Sequence, residues 1–271
     1  MQPPPESGLR SVPTNLGPDQ VLVEEPLLIE VGEETILTMR TPGHDPELAL
    51  GFLLGEGILA SANQVERLET VPVGEDSPTA RVRAHLTPGV TLTPLARSRL
   101  SRAHAIRPSC GLCGLASAEG LTRALTPPAS GQPATTLEVL TRIANTMRSR
   151  QHLFRATGGS HAAAIACATS GEVWAVREDI GRHNALDKAV GACAHQPLAE
   201  AAVVLSGRGG YELVLKAARL GIPIVASVSA PSSLAVDLAD ELGMTLIGFL
   251  REGGGRVYAD DGRLEDLGSN A

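Results

Sequence analysis

The final third of the chain repeats one supersecondary unit, and that repetition constrains the fold more than any other feature. From Ala201 it reads strand AAVVL, loop SGRGG, helix YELVLKAARLG, strand IPIVASV, loop SAPSS, helix LAVDLADELG and strand MTLIGFLR. The strands are short and apolar on both faces, as strands buried in a parallel sheet are. The helices stop at Gly221 and Gly243, where a left-handed residue ends a helix without steric cost. Strands alternating with helices in this way form a parallel-rich sheet with the crossover helices packed on it. Just upstream, AAAIACA and EVWAVRED, split by Thr169-Ser170-Gly171, read as two neighbouring strands. Residues 181–194 read as a helix with Ala185, Leu186, Ala189 and Val190 as its apolar stripe. LEVLTRIANTMRSRQHLF (137–154) is helical too, with Leu137, Leu140, Ile143, Ala144 and Met147 on one side. An α/β domain over 137–260 is expected.

The first half has a different character. Residues 1–19 lack periodicity and read as a flexible arm. Residues 20–125 read as a smaller, strand-rich N-terminal lobe. VLVEEPLLIEVGEETILTMR forms strands broken at Gly32, and HDPELALGFLLGEGIL forms a helix capped by Asp45. Short strands are expected in VERLETVPV, ARVRAHL and GVTLTPL. TPPASGQPATT (126–136) has the composition of an interdomain linker, and 261–271 reads as a tail.

Composition excludes several partners. Of 271 residues only six are aromatic and the formal net charge is −7. Single-stranded nucleic acid requires stacking platforms in a basic groove, so no nucleic-acid partner is expected. No apolar run approaches the ~18 residues of a membrane span. The opening Met-Gln-Pro-Pro-Pro-Glu-Ser has neither a basic flank nor an apolar stretch. Four cysteines are too few for a disulfide scaffold. These features predict a cytoplasmic protein with no membrane partner.

Open α/β sheets bind ligands outside the carboxyl ends of their strands. There the chain places Ser206-Gly207-Arg208-Gly209-Gly210, and one strand later Ser229-Ala230-Pro231-Ser232-Ser233. Glycine lets backbone N–H groups approach an anion at a helix start, and Arg208 is a bidentate phosphate partner. A serine-capped turn is the plainer account of either loop. No Gly-Lys-Ser/Thr follows, so this is no Walker A loop, and the third glycine of a dinucleotide fingerprint falls at Glu212. Two other polar clusters are Thr157-Gly-Gly-Ser-His161 and Glu178-Asp-Ile-Gly-Arg-His-Asn184. His183 with Asp187, and Asn184 with Lys188, share a helical face.

Cys110 and Cys113 form a C-x-x-C unit, whereas Cys167 and Cys193 read as small buried hydrophobes. A zinc site would need two more ligands, and neither a second C-x-x-C nor an H-x₃₋₅-H exists. A zinc deaminase would need an upstream H-x-E, which His44, His85 and His104 do not supply. A thioredoxin-like couple should open a helix soon after a strand, but this pair follows an Arg- and Ser-rich segment. A persulfide relay needs an accessible thiolate, favoured beside cations. Ser77–Ala118 holds six Arg and no acid, with Arg99, Arg102, His104 and Arg107 just before the thiols. Thiol chemistry, zinc and a structural pair all stay open on spacing alone.

R-P-S-C-G-L-C-G, T-G-G-S-H-A-A-A, E-D-I-G-R-H-N-A-L-D-K and S-A-P-S-S-L-A-V-D-L-A together resemble the formate dehydrogenase accessory sulfurtransferase family, FdhD. E-E-P-L-L-I-E and A-L-G-F-L-L-G-E-G-I strengthen the likeness, which runs from about residue 20 to 258. The resemblance implies a homodimer with a cytidine-deaminase-like fold that lacks the zinc. It implies that sulfur passes from a cysteine desulfurase, as a persulfide, to the molybdenum bis(guanine dinucleotide) cofactor that matures formate dehydrogenase. That cofactor is a substrate, and no permanently bound cofactor or metal is expected. By motif, Cys110 carries the persulfide with Cys113 beside it. The family's cofactor-binding stretch follows the last strand and reads Phe249-Leu250-Arg251-Glu252-Gly253-Gly254. Ser206, Gly207 and Arg208 are the further candidates for its phosphates. A non-catalytic chaperone for the molybdenum cofactor is the alternative.

Overall fold

A computed structural model describes residues 8–74, 79–103 and 125–266. Twelve strands and seven helices are present among them, besides short 3₁₀ turns. Two compact units emerge. The first holds the described residues of Met1–Ala105, Gln151–Ala162 and Arg177–Ala194, and the second those of Ile106–Arg150, Ala163–Val176 and His195–Ala271. Among the described residues the chain passes between these units after Arg150, Ala162, Val176 and Ala194.

In the first unit, β1 (Leu9–Thr14) and β2 (Gly17–Leu22) form an antiparallel hairpin. Thr14 Oγ1 donates to the Gly17 carbonyl at 2.6 Å, and Gly17 takes φ 112° to close the turn. From Gly8 onward the expected loose arm is thus ordered structure; its alternation was hidden by Pro13 and Pro18, which sit opposite each other in the ladder. β3 (Glu25–Val31), β4 (Glu34–Arg40), β5 (Val65–Val71) and β6 (Ala80–Leu86) form a sheet in the order β4-β3-β6-β5. Leu27, Ile29, Val31, Ile36, Val82 and Ala84 supply its buried face. GVTLTPL is not a strand: Pro94 opens α2 (Pro94–Ala103), with Pro preset for a first helical turn.

Helix α1 (Asp45–Gly55) begins one residue earlier than a cap at Asp45 would place it. His44 takes the cap position, left-handed at φ 58°, and Asp45 instead accepts two bonds from the Arg40 guanidinium, at 2.8 and 2.9 Å. Glu47 in its first turn receives a bidentate Arg177 and the His44 imidazole. Burial raises the Glu47 carboxyl, but these bonds and charges outweigh it and hold it at about 2.

The second half follows the alternation closely. Helix α3 (Leu137–Arg150) ends before a separate short α4 (His152–Thr157), so 137–154 is not one helix. β7 (His161–Cys167) and β8 (Val173–Asp179) precede α5 (Arg182–Ala192). Then come β9 (Ala201–Leu205), α6 (Tyr211–Arg219), β10 (Ile224–Ser227), α7 (Ser233–Glu241), β11 (Thr245–Arg251) and β12 (Gly254–Ala259). The sheet order is β12-β11-β10-β9-β7-β8, with β9, β10 and β11 mutually parallel and β12 and β7 antiparallel to their neighbours β11 and β9.

The expected linker and the described part of the tail are pinned to the second unit. Arg263, fully buried, donates to the carbonyls of Ala129, Gln132 and Gly243 at 2.6–2.7 Å. Thr135 donates its hydroxyl to Ala168 and exchanges backbone bonds with Arg263 and Glu265. A Pro- and Gly-rich composition here marks irregular backbone held by side-chain donors, not slack chain.

Candidate functional site

The carboxyl ends of β9, β10 and β11 each release a glycine- or serine-rich loop, and the three loops meet. Gly209 N–H donates to the Ala230 carbonyl (3.2 Å), and Ser232 N–H returns the bond to the Gly209 carbonyl (3.1 Å). Phe249 N–H donates to the Ser229 carbonyl (3.2 Å). The 228–232 loop therefore joins the 206–210 loop on one side to the end of β11 on the other. Ser227, fully buried at the end of β10, fastens the junction: its Oγ donates to the Ser229 carbonyl at 2.7 Å, with the Ile247 carbonyl at 3.4 Å.

Two glycines make the approach feasible. A Cβ at Gly209 would stand 3.3 Å from Ser227 Oγ and 3.7 Å from Pro231 Cα. One at Gly248 would lie 2.8 Å from both Pro231 Cδ and the Tyr258 ring, closer than real Cβ contacts come. Ser232 caps α7 by accepting from Ala235 N–H, so the serine-cap account of that loop holds alongside its part in the junction.

Phe249–Gly254 does not follow the last strand. It is the end of β11, a tight turn at Glu252-Gly253 and the start of β12, with Arg251 paired to Gly254. Gly253 (φ 93°) and Gly254 (φ 124°) supply the positive dihedrals. Phe249 is also left-handed, at φ 54°, with the Arg256 guanidinium 4.8 Å from its ring centroid. A strained non-glycine residue at a strand end is a common mark of a ligand-facing position. Leu250 points the other way; at 1% exposure its side chain belongs to the core. Arg208, Arg251 and Glu252 are exposed, Ser206 and Gly207 half-buried. Among the described residues Arg208, Arg251 and Arg256 form no ion pair, and all three are exposed.

Tyr211 opens α6 directly after the glycine loop. Its hydroxyl is buried without a hydrogen-bond partner among the described residues, and burial pushes its ionisation up. A desolvated, unsatisfied hydroxyl costs stability. Tyr211→Phe is expected to stabilise the protein by about 1 kcal/mol, read as a higher urea midpoint with an unchanged m-value.

Other expected groups turn out to be framework. Asp179 and Lys188, at 0% and 1% exposure, form an ion pair at 2.7 Å. Glu178 accepts from the N–H groups of Leu153 and Phe154 at the start of α4, and from the Ser160 hydroxyl. Asn184 donates to Met39 and Asp179. The basic tract is partly spent within the fold: Arg81 and Arg83 pair with Glu30, and Arg99 donates to the carbonyls of Glu56 and Gly57 beyond α1. Cys110 and Cys113, with His104 and Arg107, lie outside the described residues.

Of the remaining cysteines, Cys193 is buried and its thiol is raised to about 11 by desolvation. Cys167 is only half-buried. Burial raises it, but hydrogen bonds from Ser170 and from the Thr169 backbone carry it below the usual thiol range. Gly248, Arg256 and Tyr258 join the site without having been expected, beside Pro231 of the expected 229–233 loop. β12 was not legible as a strand, and only the scarcity of tyrosine could have drawn attention to Tyr258.

Comparison with known proteins places the whole chain among known relatives. The sulfur carrier protein FdhD of Streptomyces avermitilis is 42% identical over 262 residues, covering 91% of this chain and 89% of that one. Those of Mycobacterium tuberculosis and Sulfolobus acidocaldarius are 40% and 39% identical, each over 91% of this chain and 92% of theirs. A crystal structure of a putative formate dehydrogenase accessory protein from Desulfotalea psychrophila has the same fold. Its TM-score is 0.69 at 23% identity, covering 94% of this chain and 97% of that one. Residues 22–265, from the end of the first hairpin to the segment that Arg263 pins, match the profile of the FdhD/NarQ family, and the chain belongs to that family.

Proposed function

We propose that this protein is a sulfur carrier that works as a sulfurtransferase. It takes persulfide sulfur from a cysteine desulfurase and delivers it to molybdenum bis(molybdopterin guanine dinucleotide), as formate dehydrogenase activity requires. The observation that carries the reading is the R-P-S-C-G-L-C-G string in a chain of this family. The names of its relatives as sulfur carrier proteins support it.

The chemistry balances on two thiols. The Cys110 thiolate attacks the terminal sulfur of the donor's persulfide; a new S–S bond forms, and the donor's own cysteine leaves as a thiolate. Delivery of that sulfur as sulfide consumes two electrons. Cys113 supplies them by attacking the Cys110 sulfur, which forms an internal disulfide and expels the terminal sulfur. A thiol reductant then resets the pair.

The junction of the three loops suits the proposed substrate, which carries pyrophosphates and guanines. Arg208 and Arg251 are the groups for its phosphates, together with backbone N–H groups at the glycine loop. A cytoplasmic homodimer is the proposed working form.

Intact mass after incubation with desulfurase and cysteine tests the assignment. The wild type is expected to gain one sulfur atom, and Cys110→Ala none, with formate dehydrogenase activity falling to background. Gain of sulfur by Cys110→Ala but not by Cys113→Ala would reverse the two roles. Full rescue of formate dehydrogenase by the double alanine variant would instead establish a chaperone that does not carry sulfur.

A further inference from the structure

The chain has six aromatic residues, and the β11–β12 hairpin at the loop junction holds two of them, Phe249 and Tyr258. Phe249 is already engaged by Arg256 across its ring. Tyr258 is different: it stands on the edge strand with 37% of it exposed. It is held at the surface from beneath. Gly248 lacks the side chain that would occupy its place, and that missing Cβ would stand 2.8 Å from Tyr258 Cε2 and 2.8 Å from Pro231 Cδ. The tyrosine ring and the proline ring thus meet over the same face of a bare backbone, at the level where β10 ends and the 228–232 loop begins. Nothing larger than glycine at 248 preserves the arrangement.

We infer that Tyr258 is the stacking surface for the heterocycle of a nucleotide ligand at this junction. The inference rests on the reading of the site as one for a nucleotide-bearing substrate, and it names the group that holds the base. A flat aromatic ring that reaches solvent, as Tyr258 does, accepts a base without hydrogen-bond readout. The phosphates need no aromatic group; their partners are the cationic and backbone groups of the neighbouring loops. The base and phosphate contributions therefore separate by residue.

The test titrates the full chain with GDP, and in parallel with inorganic pyrophosphate, which has no ring to stack. Tyr258→Ala is expected to weaken GDP roughly tenfold or more, within the range of a lost base–aromatic stack, and to leave pyrophosphate unchanged. Tyr258→Phe, which keeps the ring, is expected to bind GDP within about twofold of wild type. Unaltered GDP binding by Tyr258→Ala overturns the inference. So does equal weakening of both probes, because that would make Tyr258 a packing residue that shapes the loops. Loss in Tyr258→Phe as large as in Tyr258→Ala overturns it as well, by assigning the effect to the hydroxyl. If wild type binds neither probe, the nucleotide reading of the site fails, and this inference fails with it.

Discussion

Gly191→Ala is expected to destabilise the protein by about 3 kcal/mol or more, although propensity alone predicts a gain of about 1 kcal/mol for that change inside a helix. The reason is a reciprocal glycine crossing between α1 and α5. A Cβ on Gly191 would lie 1.9 Å from the Glu47 carbonyl oxygen, and one on Gly51 would lie 1.7 Å from the Asp187 carbonyl oxygen. Both obstacles are helix backbone, so no rotamer change relieves them. The two helices must part instead, which strips contacts from Leu48, Leu53, Leu186 and Val190, all buried. Urea unfolding followed by far-UV circular dichroism measures the loss. A Gly191→Ala protein as stable as wild type would mean that α1 and α5 do not cross this closely. Gly51→Ala should behave in the same way, and the pair together should cost less than the sum, since one separation of the helices accommodates both.

That crossing also shows where sequence reading stops. The alternation from Ala201 onward announces itself because each strand is apolar on both faces and each helix is stopped by a glycine. β9, β10 and β11 are parallel as that pattern requires. Gly51 and Gly191, by contrast, sit inside helices, where glycine reads only as a small penalty. Their purpose depends on a partner about 140 residues away. β12 was missed for a similar reason. GGRVYA begins with glycines that serve a turn, so a strand's alternation is confined to its last residues. With β12 went Arg256 and Tyr258, and the 249–254 stretch was placed after the last strand when it is the hairpin joining the last two. The loops at 206–210 and 229–233 were legible because glycine and serine at strand ends have few uses. Their convergence was not, because it depends on bonds such as Gly209 to Ala230 that carry no sequence signal.

Lys188→Met is expected to cost about 3–5 kcal/mol, the second large effect, and it bears on the longest motif of the family likeness. E-D-I-G-R-H-N-A-L-D-K is dense in groups that elsewhere do acid–base chemistry, yet its ends close on each other inside the fold. Asp179 accepts from Lys188 Nζ (2.7 Å), Asn184 Nδ2 (3.1 Å) and the N–H groups of Thr41 (3.1 Å) and Gly181 (2.9 Å). Lys188 also donates to the Thr41 carbonyl (2.7 Å), while Thr41 Oγ1 accepts from Ile180 N–H. The carboxylate is thereby fully solvated by protein donors, and the strand end at Arg40–Thr41 is tied to the start of α5. Methionine matches the lysine stem in length but leaves Asp179 charged and buried beside an unsatisfied carbonyl. Removing one partner of a buried pair costs far more than removing both. The double variant Asp179→Asn, Lys188→Met is accordingly expected to lose less than the two single losses combined, with a coupling of about 2 kcal/mol in the cycle. Additive losses would show that the pair is held by its separate hydrogen bonds and that the attraction between the charges contributes little. A Lys188→Met protein of normal stability would show that the ion pair is not buried as described. Either way the measurement bears on stability, because every partner of Asp179 and Lys188 named here is a backbone group or a side chain of the same network.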